Sequence, residues 1–264
     1  MATADLERGW QVPDGFAHAL GFARSLAIYH GLPWRTRALR RHYAAFLGPG
    51  DLAFDVGAHV GNHARCLAGL GACVLAIEPQ PAFAAWLRRL FRDRPQVTVL
   101  QYALAAAPGM VELYQSPRTP TVATVSRRWI ETVRGSAGFD QVRWASGVQI
   151  PATTLDALIA RYGLPRFCKI DVEGNEAEVL RGLSQPIPAL SFEYVPAAVG
   201  VAQQAAGLLA GLGPYRFNPT IGERRRFLWR KWRRLGALND WLAAREPDES
   251  SGDIYARLEH WGDD

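Results

Sequence analysis

From residue 51 onward, short apolar runs alternate with segments of helix length, and this alternation constrains the fold more than any other feature of the chain. Strands that alternate with helices form βαβ units around a mostly parallel sheet. The sequence therefore predicts an α/β fold with a doubly wound, mostly parallel sheet. The five clearest strand-like runs are LAFDVGA (52–58), CVLAIEP (73–79), VTVLQYAL (97–104), RFCKIDV (166–172) and ALSFEYVP (189–196).

The two ends of the chain add further elements. Residues 13–47 show helical periodicity that is broken at Pro33, which predicts a helical N-terminal extension over residues 1–48. The remaining residues, 49–264, are expected to form one domain. Three late strands are predicted at YRFNPTI (215–221), RFLW (226–229) and DIYARL (253–258).

Residues 116–147 interrupt the alternation with Pro117, Pro120 and several hydroxyl side chains. A long irregular insertion in a compact domain is usually functional or disordered. Loops near strand ends often close over a reaction and exclude water. We therefore expect a lid-like insertion, with Arg118 and Trp129 as substrate contacts.

Composition excludes several classes of protein. Hydrophobic residues make up 48% and charged residues 21%, which argues against disorder, and no apolar run approaches the roughly 20 residues of a spanning helix. The start, MATADLERGW, has no apolar signal segment, so the expectation is a soluble cytoplasmic protein. The three cysteines lack metal-ligand spacing, and no metal site is predicted. The net charge of +5 reflects either compositional bias or an anionic partner.

Polar residues follow the first two runs, at the strand ends where open α/β sheets bind ligands. Asp55 and Gly57 close the first run, and Gly61 and Asn62 begin the next helix, whose N-terminus can receive an anionic group. Glu78 ends the second run, 21 positions beyond Gly57. A carboxylate at that spacing can accept both hydroxyl protons of a ribose, so a nucleoside site is predicted.

The identity of the nucleoside follows from charge. A dinucleotide site prefers GxGxxG, whereas this chain has only Gly57 and Gly61, four positions apart. A carboxylate at Asp55 repels phosphate but suits a ligand with an ammonium and a sulfonium. S-adenosylmethionine carries both, together with a ribose for Glu78. The predicted cofactor-binding residues are Asp55, Gly57, Gly61, Asn62, Glu78, Ala103 and Asp171.

The stretch FCKIDVEGNE (167–176) runs from the fourth strand into three carboxylates. In a doubly wound sheet this strand lies next to the first, so Asp171 is expected beside the methionine end of the cofactor. Glu173 and Glu176 face either the site or the start of the following helix, where negative charge is favourable. Lys169 either neutralises these acids or is a structural lysine that faces outward.

At these residues the sequence resembles the FkbM family of S-adenosylmethionine-dependent methyltransferases. The resemblance runs from about Asp51 to Pro196, in five ordered motifs. They are FDVGAHVG, AIEPQP, TTLDALI, KIDVEGNE and FEYVP. It implies a class I methyltransferase (Rossmann-like) sheet and O-methylation of a hydroxyl on a sugar, a macrolide or another small molecule.

The resemblance also implies roles for single residues. Asp55, Gly57 and Gly61 would surround the methionine moiety, and Glu78 would hold the ribose. At the catalytic end it implies Asp171, with Glu173 and Glu193 near it. His59 departs from the family, which usually has Asn at this position.

An alcohol acceptor must lose a proton, and three residues are candidates for the base: His59, Asp171 and Glu193. We expect a small-molecule or glycan acceptor, with Glu173 as a further substrate contact.

Two alternative functions stay open. The first is an RNA methyltransferase, because ERRRFLWRKWRR (223–234) interleaves seven basic residues with aromatics, as RNA-binding segments do, although arginines on a turn and an exposed strand give the same pattern. The other alternative is a domain that binds nucleoside without turnover.

Overall fold

The computed structural model describes residues 33–116, 119–136, 138–145, 147–222 and 225–261. Its ten strands, in the described ranges, are β1 (Leu52–Val56), β2 (Cys73–Ile77), β3 (Val97–Leu100), β4 (Ala103–Leu104), β5 (Gly109–Leu113), β6 (Val148–Thr153), β7 (Phe167–Ile170), β8 (Ala189–Tyr194), β9 (Tyr215–Pro219) and β10 (Gly252–Leu258). The helices there are α1 (Pro33–Tyr43), α2 (Asn62–Ala68), α3 (Pro81–Leu90), α4 (Arg127–Val133), α5 (Leu155–Tyr162), α6 (Glu176–Arg181), α7 (Val199–Leu212) and α8 (Leu235–Ala243).

Seven strands form the central sheet in the order β3-β2-β1-β7-β8-β10-β9. The first five run parallel, and β10 is antiparallel to both β8 and β9. Strand order reverses at β1, where Asp55 lies opposite Lys169 of β7. This confirms the predicted doubly wound, mostly parallel α/β sheet and the place of the RFCKIDV strand beside the first strand.

A second, three-stranded sheet has the order β4-β6-β5. The run VTVLQYAL was predicted as a single strand, but it divides after Leu100. Val97–Leu100 pair with β2, whereas Ala103 and Leu104 pair with β6 in the small sheet. The apolar pattern continues through the division because Val99 and Leu100 before it are partly buried and Ala103 and Leu104 after it are buried, so periodicity alone does not reveal the change of sheet.

Two apolar clusters cover the faces of the central sheet. One includes Leu158, Leu180 and Leu209 from α5, α6 and α7. The other includes Leu67 of α2, Leu87 of α3 and Tyr43 of α1. The described part of the N-terminal extension therefore packs directly on the sheet, and residues 1–32 of the predicted extension lie outside the described residues.

The segment RFLW does not form the predicted strand. It lies in an irregular stretch between β9 and α8, with Leu228 donating its backbone N–H to the Pro219 carbonyl. The sheet position beside β8 is taken by β10, which comes later in the chain. The prediction failed because the alternating exposure of this segment imitates a strand.

The described residues between 116 and 147 are more ordered than the predicted irregular insertion. Pro120–Val122 form a 3₁₀ turn, and Ser126 caps α4 by accepting a hydrogen bond from the backbone N–H of Trp129. The buried Trp129, Ile130 and Val133 pack against Ala198. This segment has an apolar core of its own. Whether it acts as a lid stays a prediction.

Candidate active site

A cavity of about 310 Å³ opens at the carboxyl ends of the parallel strands. Val56 and Ile77 line it at the ends of β1 and β2, and Lys169 lines it from β7. The cavity extends from Glu78, beyond β2, to Glu193 on β8. These strands are three positions apart in the sheet, so the two ends of the cavity are separated by roughly 14 Å. We call them the Glu78 end and the acidic end.

Gly57 determines how closely β1 and β7 approach each other just above the cavity floor. It has a φ of 80°, and a Cβ added there would lie 1.8 Å from the carbonyl oxygen of Asp171. Only glycine fits both the left-handed backbone and this contact. Glycine is therefore required at position 57 mainly because the ends of β1 and β7 lie so close together, although Gly57 also lines the cavity.

Glu78 is buried at its end of the cavity, and both of its carboxylate oxygens are oriented by backbone groups. Oε2 accepts the N–H of His59 at 2.8 Å, and Oε1 accepts the N–H of Gln80 at 2.9 Å. Burial raises its pKa to about 7, while these two hydrogen bonds favour the charged form. Each oxygen retains a lone pair, as an acceptor for two ribose hydroxyls requires.

The positively charged residue in the cavity floor is Lys169, which is 3% exposed. Its Nζ lies 2.7 Å from Oδ2 of Asp171. Burial by itself would lower the pKa of Lys169, but the carboxylates of Asp171, Asp55 and Asp253 outweigh it and raise the pKa well above the usual value. Lys169 therefore stays charged and neutralises part of the acidic end. The alternative of an outward-facing lysine is wrong.

Three carboxylates converge at the acidic end. Asp171, Glu173 and Glu193 each place an oxygen within 4.8 Å of the other two. Burial, followed by repulsion from neighbouring acids, raises the pKa of Glu173 and of Glu193 well above the usual value. Oε2 of Glu193 is buried and accepts no hydrogen bond from a described residue. This group can accept a proton, and its donor set also suits a hard cation, although the sequence predicted no metal.

The turn that carries Glu173 is held from two sides. Glu173 has a φ of 53°, and its carbonyl accepts a hydrogen bond from Oγ1 of Thr124 at 2.7 Å. A Cβ at Gly174 would lie 2.0 Å from Cγ of Trp129. Oε1 of Glu176 accepts the N–H groups of Val172 and Gly174. The insertion therefore fixes the position of this turn.

The C-terminal part of the chain closes the acidic end. Arg225 and Asp253 line the cavity and form an ion pair of 3.5 Å, and Ser251 lies beside them. Asp253 of β10 is the register partner of Glu193 on β8. The wall is therefore built from residues 29 to 57 positions beyond the end of the last recognised motif, Pro196.

Most of the predicted site residues meet in this cavity. Those lining it are Gly57, His59, Asn62, Glu78, Ala103, Asp171, Glu173 and Glu193. Asp55 is fully buried behind the floor, where burial raises its pKa to about 6 despite the attraction of Lys169. Gly61 is absent from the lining, and a Cβ there would lie 2.6 Å from Leu87, so it serves the packing of α2 on α3.

One of the two predicted contacts from the insertion, Trp129, does not reach the cavity. Trp129 is buried against Phe139 and Trp144 and is absent from the cavity lining. Its burial favours a role in packing over substrate contact. Arg118 lies outside the described residues. The same segment contributes Thr121 and Thr124 to the lining instead.

Sequence reasoning missed several lining residues. His63, Gln80, Tyr102, Arg225 and Asp253 all reach the cavity. Gln80 follows Glu78 by two positions, and Tyr102 precedes the predicted Ala103, so their proximity to predicted residues was an available signal. Arg225 and Asp253 carried no such signal, because β10 reaches the site only by inserting between β8 and β9.

His59 lies at the Glu78 end. Its backbone N–H donates to Glu78, and its ring lies 4.4 Å from that of Phe83 on α3. Its φ of 47° is left-handed, a conformation in which Asn is also enriched. This explains why His can occupy a position where the resembled family usually has Asn. The position shapes the turn around the predicted ribose carboxylate.

Comparison with known proteins agrees with these features. A 156-residue segment is 30% identical to the hexuronic acid methyltransferase AglP of Haloferax volcanii, and the match covers 57% of each chain. Similar solved structures include an O-methyltransferase from Bacillus cereus in complex with SAH (12% identity, TM-score 0.45, 97% of this chain and 94% of that one). Another is a precorrin-6y C5,15-methyltransferase from Geobacter metallireducens (11% identity, TM-score 0.42, 85% and 86%).

The sequence matches the methyltransferase FkbM domain over residues 55–245. The match extends beyond the five motifs, which end at Pro196, and includes α7, β9 and α8. It confirms the resemblance inferred from the strand-end residues. The chain belongs to the FkbM methyltransferase domain family, and methyltransferases of this family use S-adenosylmethionine as their cofactor.

Proposed function

We propose that this protein methylates a hydroxyl group of a sugar that carries a carboxylate. The observation that carries the proposal is the acidic end of the cavity, where Glu193 has a buried oxygen that accepts no hydrogen bond from a described residue. A hydroxyl acceptor needs a base, whereas a carboxylate acceptor would be repelled by three acids. The hexuronic acid named for the relative AglP supports an acidic sugar.

The residues of the Glu78 end fit the cofactor. Glu78 would hold the ribose hydroxyls, and Tyr102 and Ala103 line the cavity beyond it. Gly57 and Asn62 lie towards the middle of the cavity, where the methionine part would bind. Bound S-adenosylmethionine supplies an electrophilic methyl group on a sulfonium. Fixing the acceptor against that methyl group accounts for much of the rate enhancement in such transfers.

Glu193 is the favoured proton acceptor of the three candidates. Burial, followed by repulsion from Glu173 and Asp171, raises the pKa of Glu193 well above its usual value, so this carboxylate binds a proton more tightly than an exposed one does. Asp171 is already paired with Lys169, and His59 lies near Glu78. In this proposal Lys169 holds Asp171 as a fixed carboxylate beside the reacting centre. Arg225, in the wall of the acidic end, is paired with Asp253 and would bind the carboxylate of the sugar through its remaining guanidinium N–H groups.

The test uses methyl-labelled S-adenosylmethionine with paired acceptors. Phenyl glucuronide and phenyl glucoside differ only at C6, which is a carboxylate in the first and a hydroxymethyl group in the second. We expect label transfer to the glucuronide to exceed transfer to the glucoside by about tenfold or more, since the Arg225 contact is charge-assisted. The labelled product should survive mild alkali, as a methyl ether does. Label released by alkali would identify a methyl ester and contradict the hydroxyl proposal.

A location in the cytoplasm stays a prediction, as does the absence of a nucleic-acid substrate. No helix in the described ranges is long and apolar enough to span a bilayer. The match covers 57% of the length of AglP. The substrate named for AglP therefore supports the proposal by similarity alone.

A further inference from the structure

Residues 225–234 form a segment with two different sides, which we call the basic strap. Its inward side chains are aromatic. Phe227 contacts Tyr255 and Trp232, and Trp229 contacts Trp241 of α8. Exposed residues alternate with these aromatics along the first half of the strap. The strap therefore presents one face to the apolar core and the other to solvent.

Backbone hydrogen bonds hold the strap in place. Asn218 donates from Nδ2 to the carbonyl of Trp229 at 2.8 Å and accepts the N–H of Trp229 at 3.0 Å. Arg233 and Phe217 of β9 exchange two backbone hydrogen bonds, at 2.7 and 2.9 Å. The strap is tied to the edge strand of the sheet at these two points. Its outward side chains are therefore presented from a fixed backbone.

The outward face is strongly basic. Its exposed cationic residues are Arg226, Arg230, Lys231, Arg233 and Arg234. None of these five forms a salt bridge with any residue that the structure describes. Leu228 lies among them and is 39% exposed, one of the few large apolar side chains that reach solvent. The strap thus combines unpaired positive charge with an exposed apolar side chain.

The two tryptophan rings of the strap already contact guanidinium groups of this chain, and this limits which kind of partner the strap can bind. The guanidinium of Arg233 lies 5.1 Å from the ring centre of Trp229, and that of Arg257 lies 4.8 Å from the ring centre of Trp232. Proteins that bind single-stranded RNA need open aromatic faces on which bases stack. Because a guanidinium lies over one face of each of these two tryptophans, base stacking there is disfavoured, and a partner recognised by charge fits better.

We propose that the basic strap docks the protein on the surface of an anionic membrane. Clusters of four to eight Lys and Arg residues bind anionic lipid headgroups, and an apolar side chain among them can enter the interface. The five unpaired cations and Leu228 match this requirement. Arg225, at the start of the strap, lines the acidic end of the cavity, so docking would bring that end close to the lipid surface.

The proposal is tested by vesicle sedimentation with the full chain. The probe is a vesicle of phosphatidylcholine containing 30% phosphatidylglycerol, compared with phosphatidylcholine alone. The test variant is Arg226→Gln/Arg230→Gln/Lys231→Gln. The matched control is Arg88→Gln/Arg89→Gln/Arg94→Gln, which removes the same charge from exposed positions on and after α3. Binding of S-adenosylhomocysteine by each protein establishes that it is folded.

We expect wild type and control to bind the anionic vesicles and not the neutral ones. The strap variant should partition at least roughly tenfold and up to about 100-fold more weakly, and 1 M salt should release wild type. Equal loss in both variants would mean that net charge alone drives the binding and would overturn the proposal. So would failure of wild type to bind vesicles while it retains a labelled single-stranded RNA, which would assign the strap to nucleic acid.

Discussion

The two ends of the cavity are built in different ways. The Glu78 end is assembled within one continuous stretch, from Val56 to Leu104, by turns that follow neighbouring strands. The acidic end combines the turn after β7, the middle of β8, the segment before the basic strap and the first residues of β10. Most residues of the Glu78 end are therefore close to one another in sequence, whereas the acidic end forms only when segments that are distant in sequence pack together.

This difference suggests that the Glu78 end determines cofactor affinity and the acidic end determines turnover. The Glu78 end has a carboxylate oriented by backbone groups, which suits a ligand of constant shape. The acidic end is lined by side chains from several segments, and each of these can change without disturbing the Glu78 end. We expect substitutions to separate cofactor affinity from turnover, except at the position where the two ends meet.

The largest effect is expected at that meeting point. Gly57→Ala would place a methyl group against the carbonyl of Asp171 and strain a left-handed backbone, so it should lower the free energy of unfolding by about 3 kcal/mol or more. Urea unfolding measures this. The matched control is Gly207→Ala, on an exposed position of α7 with no neighbour within 4 Å. The control should stabilise by about 0.5–1 kcal/mol. Equal behaviour of the two variants would contradict the tight contact.

The acidic end should respond in turnover alone. Glu193→Gln removes the proposed proton acceptor, so kcat should fall by about 10²- to 10⁴-fold, while affinity for S-adenosylhomocysteine should change by less than about threefold, since the cofactor lies mainly at the other end. Initial rates and calorimetry check the two quantities. Glu178→Gln, on an exposed position of α6, is the control and should match wild type. A large loss of cofactor affinity in Glu193→Gln would break the division between the ends.

The Glu78 end should respond in cofactor affinity. In our proposal Glu78 accepts two charge-assisted hydrogen bonds from the ribose, so we expect Glu78→Ala to lower the affinity for S-adenosylmethionine by about 100-fold or more. Calorimetry measures this, with NAD as a ligand that wild type should not bind. The control is Glu131→Ala, an exposed carboxylate on α4. Unchanged affinity in Glu78→Ala would remove this residue from the cofactor site.

The smallest effect is a dependence of stability on pH. Burial raises the pKa of Glu78 and of Glu176 from 4.5 to about 7, so their contribution to stability is fully present below pH 4.5 and is lost as pH rises through about 7. Burial lowers the pKa of His42 to about 4 and that of His63 well below its usual value. Because histidines of the unfolded chain titrate near pH 6.5, these two residues offset part of the loss above that pH. The apo protein should therefore melt at a Tm that is roughly 2–3 °C lower at pH 8 than at pH 6.5.

Two variants show whether the dependence of Tm on pH arises at the Glu78 end or at the acidic end of the cavity. Glu176→Gln keeps an oxygen for the N–H groups of Val172 and Gly174, and Glu78→Gln keeps one for His59 or Gln80. Each should flatten the decline of Tm between pH 6.5 and pH 8. A Tm that rises over this interval in wild type would contradict the raised pKa values.

The sequence predicted the structure best where polar residues directly follow the strands of the central sheet. The sheet, the neighbouring positions of β1 and β7, and the convergence of Glu78 and Asp171 in one cavity all follow from apolar runs that end in acids. Gly57 and Gly61 look alike in sequence, yet only the first lines the cavity. The contact that each glycine relieves belongs to tertiary packing, which spacing does not report.

Prediction failed where a pattern has two physical causes. Alternating exposure in the RFLW segment comes from aromatic anchoring of the basic strap and not from a strand. Asp253 could not be assigned to the site, because its place depends on which gap in the sheet β10 fills. Trp129 was predicted at the substrate, but its indole packs over Gly174, and an aromatic residue in a polar segment gives no sign of which way it points.

The position of β10 also affects the order in which the site can form during synthesis. Strands β1, β2 and β7 and the turns above them are made first, so the Glu78 end can fold while the ribosome is still adding residues. The gap between β8 and β9 stays open until residues 252–258 emerge and fill it. We therefore expect a nascent chain to form the turns of the Glu78 end before it has the wall of the acidic end.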